Sequence, residues 1–283
     1  MAISQIPIFI KTTDPADSAE SDFVKNHEIY SGSKSEQSIE RKTGIESTWF
    51  KELDTSKFYP IYMVGSVNST NTASYEVIDG IIPLLKCDAL DDYHFVHRKV
   101  QVACKWFVEE CTASHAIIID DDTFVNWKTL HSISSFGDND IIGHRVGNVI
   151  DMANEDWLKG KEEKFGLEIG TLLRDVDPLV LYPQGGAGII LSKNSVSTLA
   201  EHLYFEKPGY DDIQIASVIA KHKPSYTFSN WASLMIPYPM SVTNAGLETH
   251  EEYAENRPLS FLTLHDMRTA SMWTTVYNRL KAE

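Results

Sequence analysis

Ala116-Ile117-Ile118-Ile119 runs without interruption into Asp120-Asp121-Asp122, followed by Thr123-Phe124-Val125-Asn126. A short, β-branched apolar run of this kind reads as a strand buried on both faces, the signature of a parallel sheet covered by helices. Open α/β sheets bind ligands outside the carboxyl ends of their strands, so this chain delivers three carboxylates to the edge where a site belongs. Three acids at one strand end repel, and a divalent cation, a basic cluster or solvent must offset them. A hard cation that also grips phosphate oxygens suits such carboxylates. If the extended backbone persists, Asp120 and Asp122 point to one side and share a ligand while Asp121 points away. A solvated acidic turn accounts for the same residues. An EF-hand does not, because its glycine and distant glutamate are missing from the register.

The rest of the chain alternates between strand and helix patterns. Strands are expected over 6–12, 60–64, 140–143, 179–182, 189–191 and 260–264. Helices are expected over 38–53, 73–85, 97–111, 193–203, 211–221 and 270–281, with Val100, Ala103, Cys104, Phe107 and Val108 on the buried face of the third. Residues 14–38, rich in Ser, Asp and Glu, read as a solvated loop, and 151–174 as a charged, glycine-interrupted segment suited to setting specificity. The order β, α, β, α gives an α/β fold with a mostly parallel, doubly wound central sheet flanked by helices, in one domain over 1–283.

Charge narrows the partners. The 283 residues carry 25 Lys+Arg against 40 Asp+Glu, a formal charge of −15, which disfavours nucleic acid or an anionic membrane as principal partner. Any phosphate must be gripped locally. Cys87, Cys104 and Cys111 include no C-x-x-C pair, so neither a disulfide framework nor a zinc knuckle is indicated, although one bridge remains open. The apolar stretch within residues 1–10 is broken by Pro7 and lacks a basic leader, so no signal peptide or membrane anchor is expected there. The sequon Asn68-Ser69-Thr70 matters only in a secreted protein.

Three further motifs carry chemistry. Gly185-Gly186-Ala187-Gly188 is either a tight bend or a place where a sugar approaches bare backbone. It is not a dinucleotide loop, because the third glycine of G-x-G-x-x-G would fall at Leu191. Asp211-Asp212 open a helix, where one acid serves as a cap and the other favours the dipole, or where one is a general base. His265 ends a late strand, either as a structural histidine or as an imidazole ligand that suits manganese beside carboxylates. No P-loop lysine motif and no G-x-S-x-G elbow occurs.

In this order the segments resemble the Fringe and β-1,3-galactosyltransferase family of inverting glycosyltransferases, including its core-1 galactosyltransferase branch. Ile8-Phe9-Ile10-Lys11-Thr12-Thr13 looks like the Fringe opening strand, and Arg41 ahead of Thr48-Trp49 is similar to the family's early Arg-rich helix, with Glu46 where a second arginine is usual. Asp91, Tyr93, Lys99, Lys105-Trp106 and Cys111 lead into the aspartates with the family's spacing. The block from Tyr182 to Lys193, the pair Asp211-Asp212 and His265 continue the likeness, with Ala216 replacing a usual glycine.

The resemblance implies a GT-A fold, a UDP-sugar donor, a glycan or glycoprotein acceptor, inversion to a β-linkage, and Mn2+ or another divalent cation such as Mg2+. It implies Asp122 and His265, with Asp120, as metal ligands, and Asp212 as catalytic base with Asp211 in reserve. Thr12, Thr13, Arg41, Lys99, Asp120, Asp121, Gly185 and Gly186 would bind the nucleotide sugar. Family members are mostly anchored Golgi enzymes. This chain shows neither their anchor nor their luminal cysteine pairs and is expected to be a soluble cytoplasmic form, microbial or viral in type, or a Golgi-lumen one lacking its anchor. Rival readings are a catalytically inactive sugar-nucleotide or glycan-binding relative, and a haloacid dehalogenase-type phosphatase, which would want Thr or Val where Phe124 stands.

Overall fold

The computed structural model describes residues 2–13, 34–66, 68–70, 72–91, 96–148, 179–203, 211–237 and 250–283. The architecture is mixed α/β, with a mostly parallel eight-stranded sheet flanked by helices. Its strands are β1 (Ile6–Lys11), β2 (Phe58–Ser66), β3 (Tyr75–Ile78), β4 (Leu84–Leu90), β5 (His115–Asp120), β7 (Ile141–Gly143), β10 (Ile189–Ser192) and β11 (Phe228–Asn230), in the order β11-β7-β10-β5-β1-β2-β4-β3. The neighbours β5, β1, β2 and β4 are all parallel, while β3 and β10 run against them.

Period-2 alternation builds a core on each face. Ile8, Ile10, Ile117 and Ile119 turn to one side with Trp49 and Trp273, and Phe9, Ile61, Met63 and Ile118 turn to the other with Phe107 and Leu199. Burying each such side chain contributes about 1.5–3 kcal/mol, which is why this strand set reads as near-continuous apolar runs. Helices α1 (Lys34–Ser47) and α7 (Ala270–Ala282) cover the first face. Helices α2 (Val96–Glu110), α4 (Lys193–His202) and α5 (Asp211–His222) cover the second. Strand order reverses at β1, whose neighbours are β2 on one side and β5 on the other, so the switch point lies between the ends of β1 and β5.

A three-stranded sheet, β12 (Met235–Ile236), β13 (Thr263–Leu264) and β6 (Phe124–Val125), and a two-stranded one, β8 (Arg145–Asn148) with β9 (Leu181–Pro183), sit beside it. Short helices α3 (Trp127–Ser132) and α6 (His250–Asn256) and two 3-10 turns, Trp49–Glu52 and Gly185–Ala187, complete the described elements. Asn126 caps α3, its side chain accepting from the backbone of Lys128 and Thr129.

The expected helix over 73–85 is corrected: those residues form β3 and enter β4, with Tyr75 opposite Cys87 and Ile78 opposite Leu84. Val77, Ile78, Ile81, Ile82 and Leu85 satisfy a helical spacing, but Leu85, Cys87 and Ala89 alternate into the core as a strand requires. Val108 is 46% exposed rather than on the buried face of α2. Of the expected loop over 14–38, residues 14–33 lie outside the described residues and 34–38 belong to α1, which stops at Ser47 before a separate 3-10 turn, Trp49–Glu52. The 151–174 segment lies outside the described residues, as does Tyr93. All three cysteines are buried and free. Among the described residues no helix is long and apolar enough to cross a membrane.

Candidate functional site

Strand register assembles the site. Lys11 and Asp120 are paired last residues of β1 and β5, so opposite charges meet at the switch point. Strand β6 follows the aspartates after Thr123 and β13 directly precedes His265, and the pairing of Phe124 with Leu264 brings His265 back to Asp122. Backbone bonds hold the return on both sides: His265 N–H donates to Ile236 and Met267 N–H to Asp122, each carbonyl within 3.1 Å. Between them Asp266 adopts φ 71°, a left-handed conformation that aspartate tolerates, and its carboxylate accepts from Arg268 Nε at 2.9 Å.

Asp120, Asp122 and His265 offer ligand atoms that all lie within 4.8 Å of one another. His265 Nε2 stands 3.1 Å from Asp122 Oδ1 and 3.6 Å from Asp120 Oδ2. Asp122 Oδ1 is buried without a well-aligned hydrogen bond, and its attraction to the imidazole is coulombic first, with a weaker hydrogen-bonding part. An oxygen left with free lone pairs beside a nitrogen and a second carboxylate is compatible with a shared divalent cation. Backbone extension stops at Asp120, yet the division expected for a strand persists: Asp120 and Asp122 face His265 while Asp121 faces elsewhere.

Asp121 accepts from Thr12 Oγ1 at 2.7 Å and from Arg41 Nη1 at 2.9 Å. Arg41 Nη2 lies 3.3 Å from Asp122 Oδ2. Thr12 Oγ1 is 3.1 Å from Ser38 Oγ, which donates to the Thr13 carbonyl at 3.0 Å and so ties α1 to the end of β1. Lys11 Nζ is 2.7 Å from both Asp120 Oδ1 and Asp211 Oδ2. Three cations, Lys11, Arg41 and His265, therefore offset the aspartate triplet.

Electrostatics separate the acids. Burial works against the charge of Asp122, but His265 and Arg41 outweigh it and hold the carboxyl well below its ordinary range. Burial raises Asp121, with Asp122 and Asp120 adding to it against Arg41 and Thr12. The imidazole of His265 would be lowered by burial, but Asp122 above all raises it to about 9. Asp211 is lowered because Lys11 outweighs burial. Asp212 is raised to about 7, by burial first and by its neighbour Asp211 second. Its Oδ1 accepts from Ile213 N–H at 2.8 Å and its Oδ2 from Gly185 N–H at 3.3 Å. The pair thus divides into a fixed anion and a titratable carboxyl.

The bend Gly185–Ala187 sits at the same edge, since β10 starts directly after it. A Cβ on Gly186 would lie 2.4 Å from His265 Cε1, so the missing side chain at this position makes room for the imidazole. The Gly186 carbonyl is also fixed, accepting from Thr123 Oγ1 at 2.9 Å. Of the sequence-derived set, Asp120, Asp121, Asp122, Asp211, Asp212, His265, Thr12, Arg41, Gly185 and Gly186 converge. Lys99 sits apart: its ammonium is buried against Asp91 Oδ1 at 2.8 Å and the Thr12 carbonyl at 2.9 Å, supporting β1 from within. Lys11 is the site residue that sequence reasoning passed over. Its signal was a lysine closing one apolar strand and an aspartate closing another.

No family model and no curated protein matches the chain. Among solved structures it is similar to the bifunctional glycosyltransferase WbbM in its apo form, at 13% identity over 80% of this chain and 38% of that one, with a TM-score of 0.36. The chain thus spans well under half of WbbM. HddC from Yersinia pseudotuberculosis matches in a complex with GMP-PN (13% identity, 80% of this chain, 90% of that one, TM-score 0.37). A second HddC structure matches at 14% identity over 81% and 90%, with a TM-score of 0.34. Likeness at this level carries no argument about activity.

Proposed function

We propose that this protein is a metal-dependent inverting glycosyltransferase of GT-A type, moving a sugar from a UDP-sugar to a hydroxyl of a glycan or glycoprotein. One observation carries the reading. The Asp120, Asp122 and His265 cluster and the Asp211–Asp212 pair stand at one sheet edge, joined through Lys11. The Fringe-like order of the same segments agrees with it. Asp120, Asp122 and His265 would hold the divalent ion, with Mn2+ favoured by the mixed oxygen and nitrogen donors. A bound cation of this kind offsets charge on the departing diphosphate.

The chain's own residues supply the rest. Thr12 and Arg41 flank the triplet where a nucleotide would lie, and Asp121 orients both through its two oxygens. Asp212, near neutral in its proton affinity, suits a general base at physiological pH. As the acceptor O–H bond breaks, the proton passes to Asp212 while the oxygen bonds to the anomeric carbon and the bond to diphosphate breaks. Gly185 and Ile213 N–H groups hold that carboxylate in orientation. No protein nucleophile enters, so an α-linked donor gives a β-linked product.

A panel of nucleotide sugars incubated with Mn2+ tests the reading. Release of nucleoside diphosphate from a UDP-sugar is expected, lost in excess chelator. Full turnover with chelator present, or none for any nucleotide sugar, overturns it.

A further inference from the structure

Lys11 is buried, 8% exposed, at the end of a strand held in register on both sides by β2 and β5. Its ammonium meets Asp120 Oδ1 and Asp211 Oδ2 at 2.7 Å each, although the two acids are distant in sequence, one ending β5 and the other opening α5. Helix α5 packs into the core through Ile213, Ile215 and Ile219, and its first two residues, Asp211 and Asp212, are tied to the sheet edge by the Lys11 bridge and the Gly185–Asp212 bond.

We propose that Lys11 is a positioning residue that ties the base-bearing first turn of α5 to the metal-binding end of β5 and, through the same ammonium, competes with a cation for Asp120. This rests on the reading of Asp120, Asp122 and His265 as metal ligands and of Asp212 as the base. Its consequence is antagonistic. Removing the ammonium frees Asp120 Oδ1 for the ion, while Asp211 loses its anchor and carries Asp212 off its productive geometry. Ion binding and transfer then move in opposite directions, a pattern that simple loss of structure does not produce.

The test compares wild type with Lys11→Met, which keeps side-chain length without charge, and with Asp211→Asn, which breaks the bridge from its other end. Mn2+ affinity is measured by titration calorimetry, folding by thermal melts, and kcat and KM on the nucleotide sugar that wild type turns over. Lys11→Met is expected to bind Mn2+ about tenfold more tightly. Its kcat is expected to fall about a hundredfold with donor KM little changed, as loss of orientation predicts. Asp211→Asn is expected to lower kcat without tightening Mn2+, because Lys11 then pairs with Asp120 alone. Weaker Mn2+ binding in folded Lys11→Met, or kcat within threefold of wild type, overturns the proposal. Should Lys11→Met not fold, an unchanged kcat in Asp211→Asn overturns it. A wild type that neither binds Mn2+ nor turns over any nucleotide sugar sinks the underlying reading instead, and this inference with it.

Discussion

Asp212→Asn isolates the electrostatics of the acid pair without reference to any substrate. In the folded protein the carboxyl is raised from an ordinary 3.8 to about 7, by burial and then by Asp211. Between those values the folded state holds a proton that the unfolded chain has released, so stability falls as pH rises through the window and levels off above it. At about 1.4 kcal/mol per pH unit the ionised form is disfavoured by about 4 kcal/mol at most. Solvent around this half-buried acid pair leaves about 1–2 kcal/mol of this. Asparagine never ionises, so the variant should gain on wild type as pH goes from 5 to 8. For a chain of this size that is about 2–3 °C in Tm. The asparagine amide also faces Gly185 N–H, a defect that is nearly the same at both pH values and cancels when the Tm differences are subtracted. The assay is a thermal melt of both proteins at pH 5 and pH 8. A Tm difference that stays flat, or that favours wild type more at pH 8, refutes the assigned proton affinity and with it the choice of Asp212 as base.

Kinetically, Asp212→Asn should lose transfer by about 10²–10⁴-fold with donor binding kept, and wild-type transfer should rise with pH up to about 7, read from a pH–rate profile. Near wild-type transfer by Asp212→Asn with a dead Asp211→Asn would exchange the two roles. Asp122→Ala or His265→Ala should abolish Mn2+ binding while the fold persists by circular dichroism, since each removes one donor of the cluster. Gly186→Ala should push His265 off its position and weaken Mn2+ binding by at least about tenfold, because the new Cβ would fall 2.4 Å from Cε1; unchanged calorimetric affinity refutes the packing argument. Proton NMR of the product from an α-linked donor should give a β anomeric signal, and an α product would remove the single-displacement mechanism.

Much of the site was legible because its parts are local. An apolar run feeding three acids marks a strand end, and Asp211-Asp212 beside a helix pattern marks a helix start, whatever the rest of the chain does. What pairs across the fold was not legible. Lys11 gains its meaning from a β1–β5 register that aligns two strand ends, and nothing in its neighbours announces that partner. Gly186 read equally as a bend or as room for a sugar, and the claimant on that room is an imidazole delivered by a different sheet. Lys99 shares the family-like spacing, but its charge is absorbed by Asp91, at the end of β4. The 73–85 error has the same root: a short apolar stretch fits both periods, and pairing with β4 decided between them.

The local charge explains why such a site would need an added cation to hold a diphosphate at all. A chain with a formal charge of −15 repels polyanions at long range, so affinity must come from close contacts. The nearby cations are already engaged: Lys11 with Asp120 and Asp211, Arg41 with Asp121 and Asp122, His265 with Asp122. With Asp212 protonated, four carboxylates still face three cations, and a diphosphate added there meets no net positive charge. Shifting Lys11 or Arg41 toward the phosphate would strand a buried aspartate, a costly exchange. A divalent cation from outside the chain would displace the His265 proton and still add one net positive charge, and Asp120, Asp122 and His265 form, among the described residues, a group that could hold it. Under the proposed function Asp120 and Asp122 would serve, with His265, to import charge, and Lys11 and Arg41, each paired with one of these carboxylates, would set how tightly they do so.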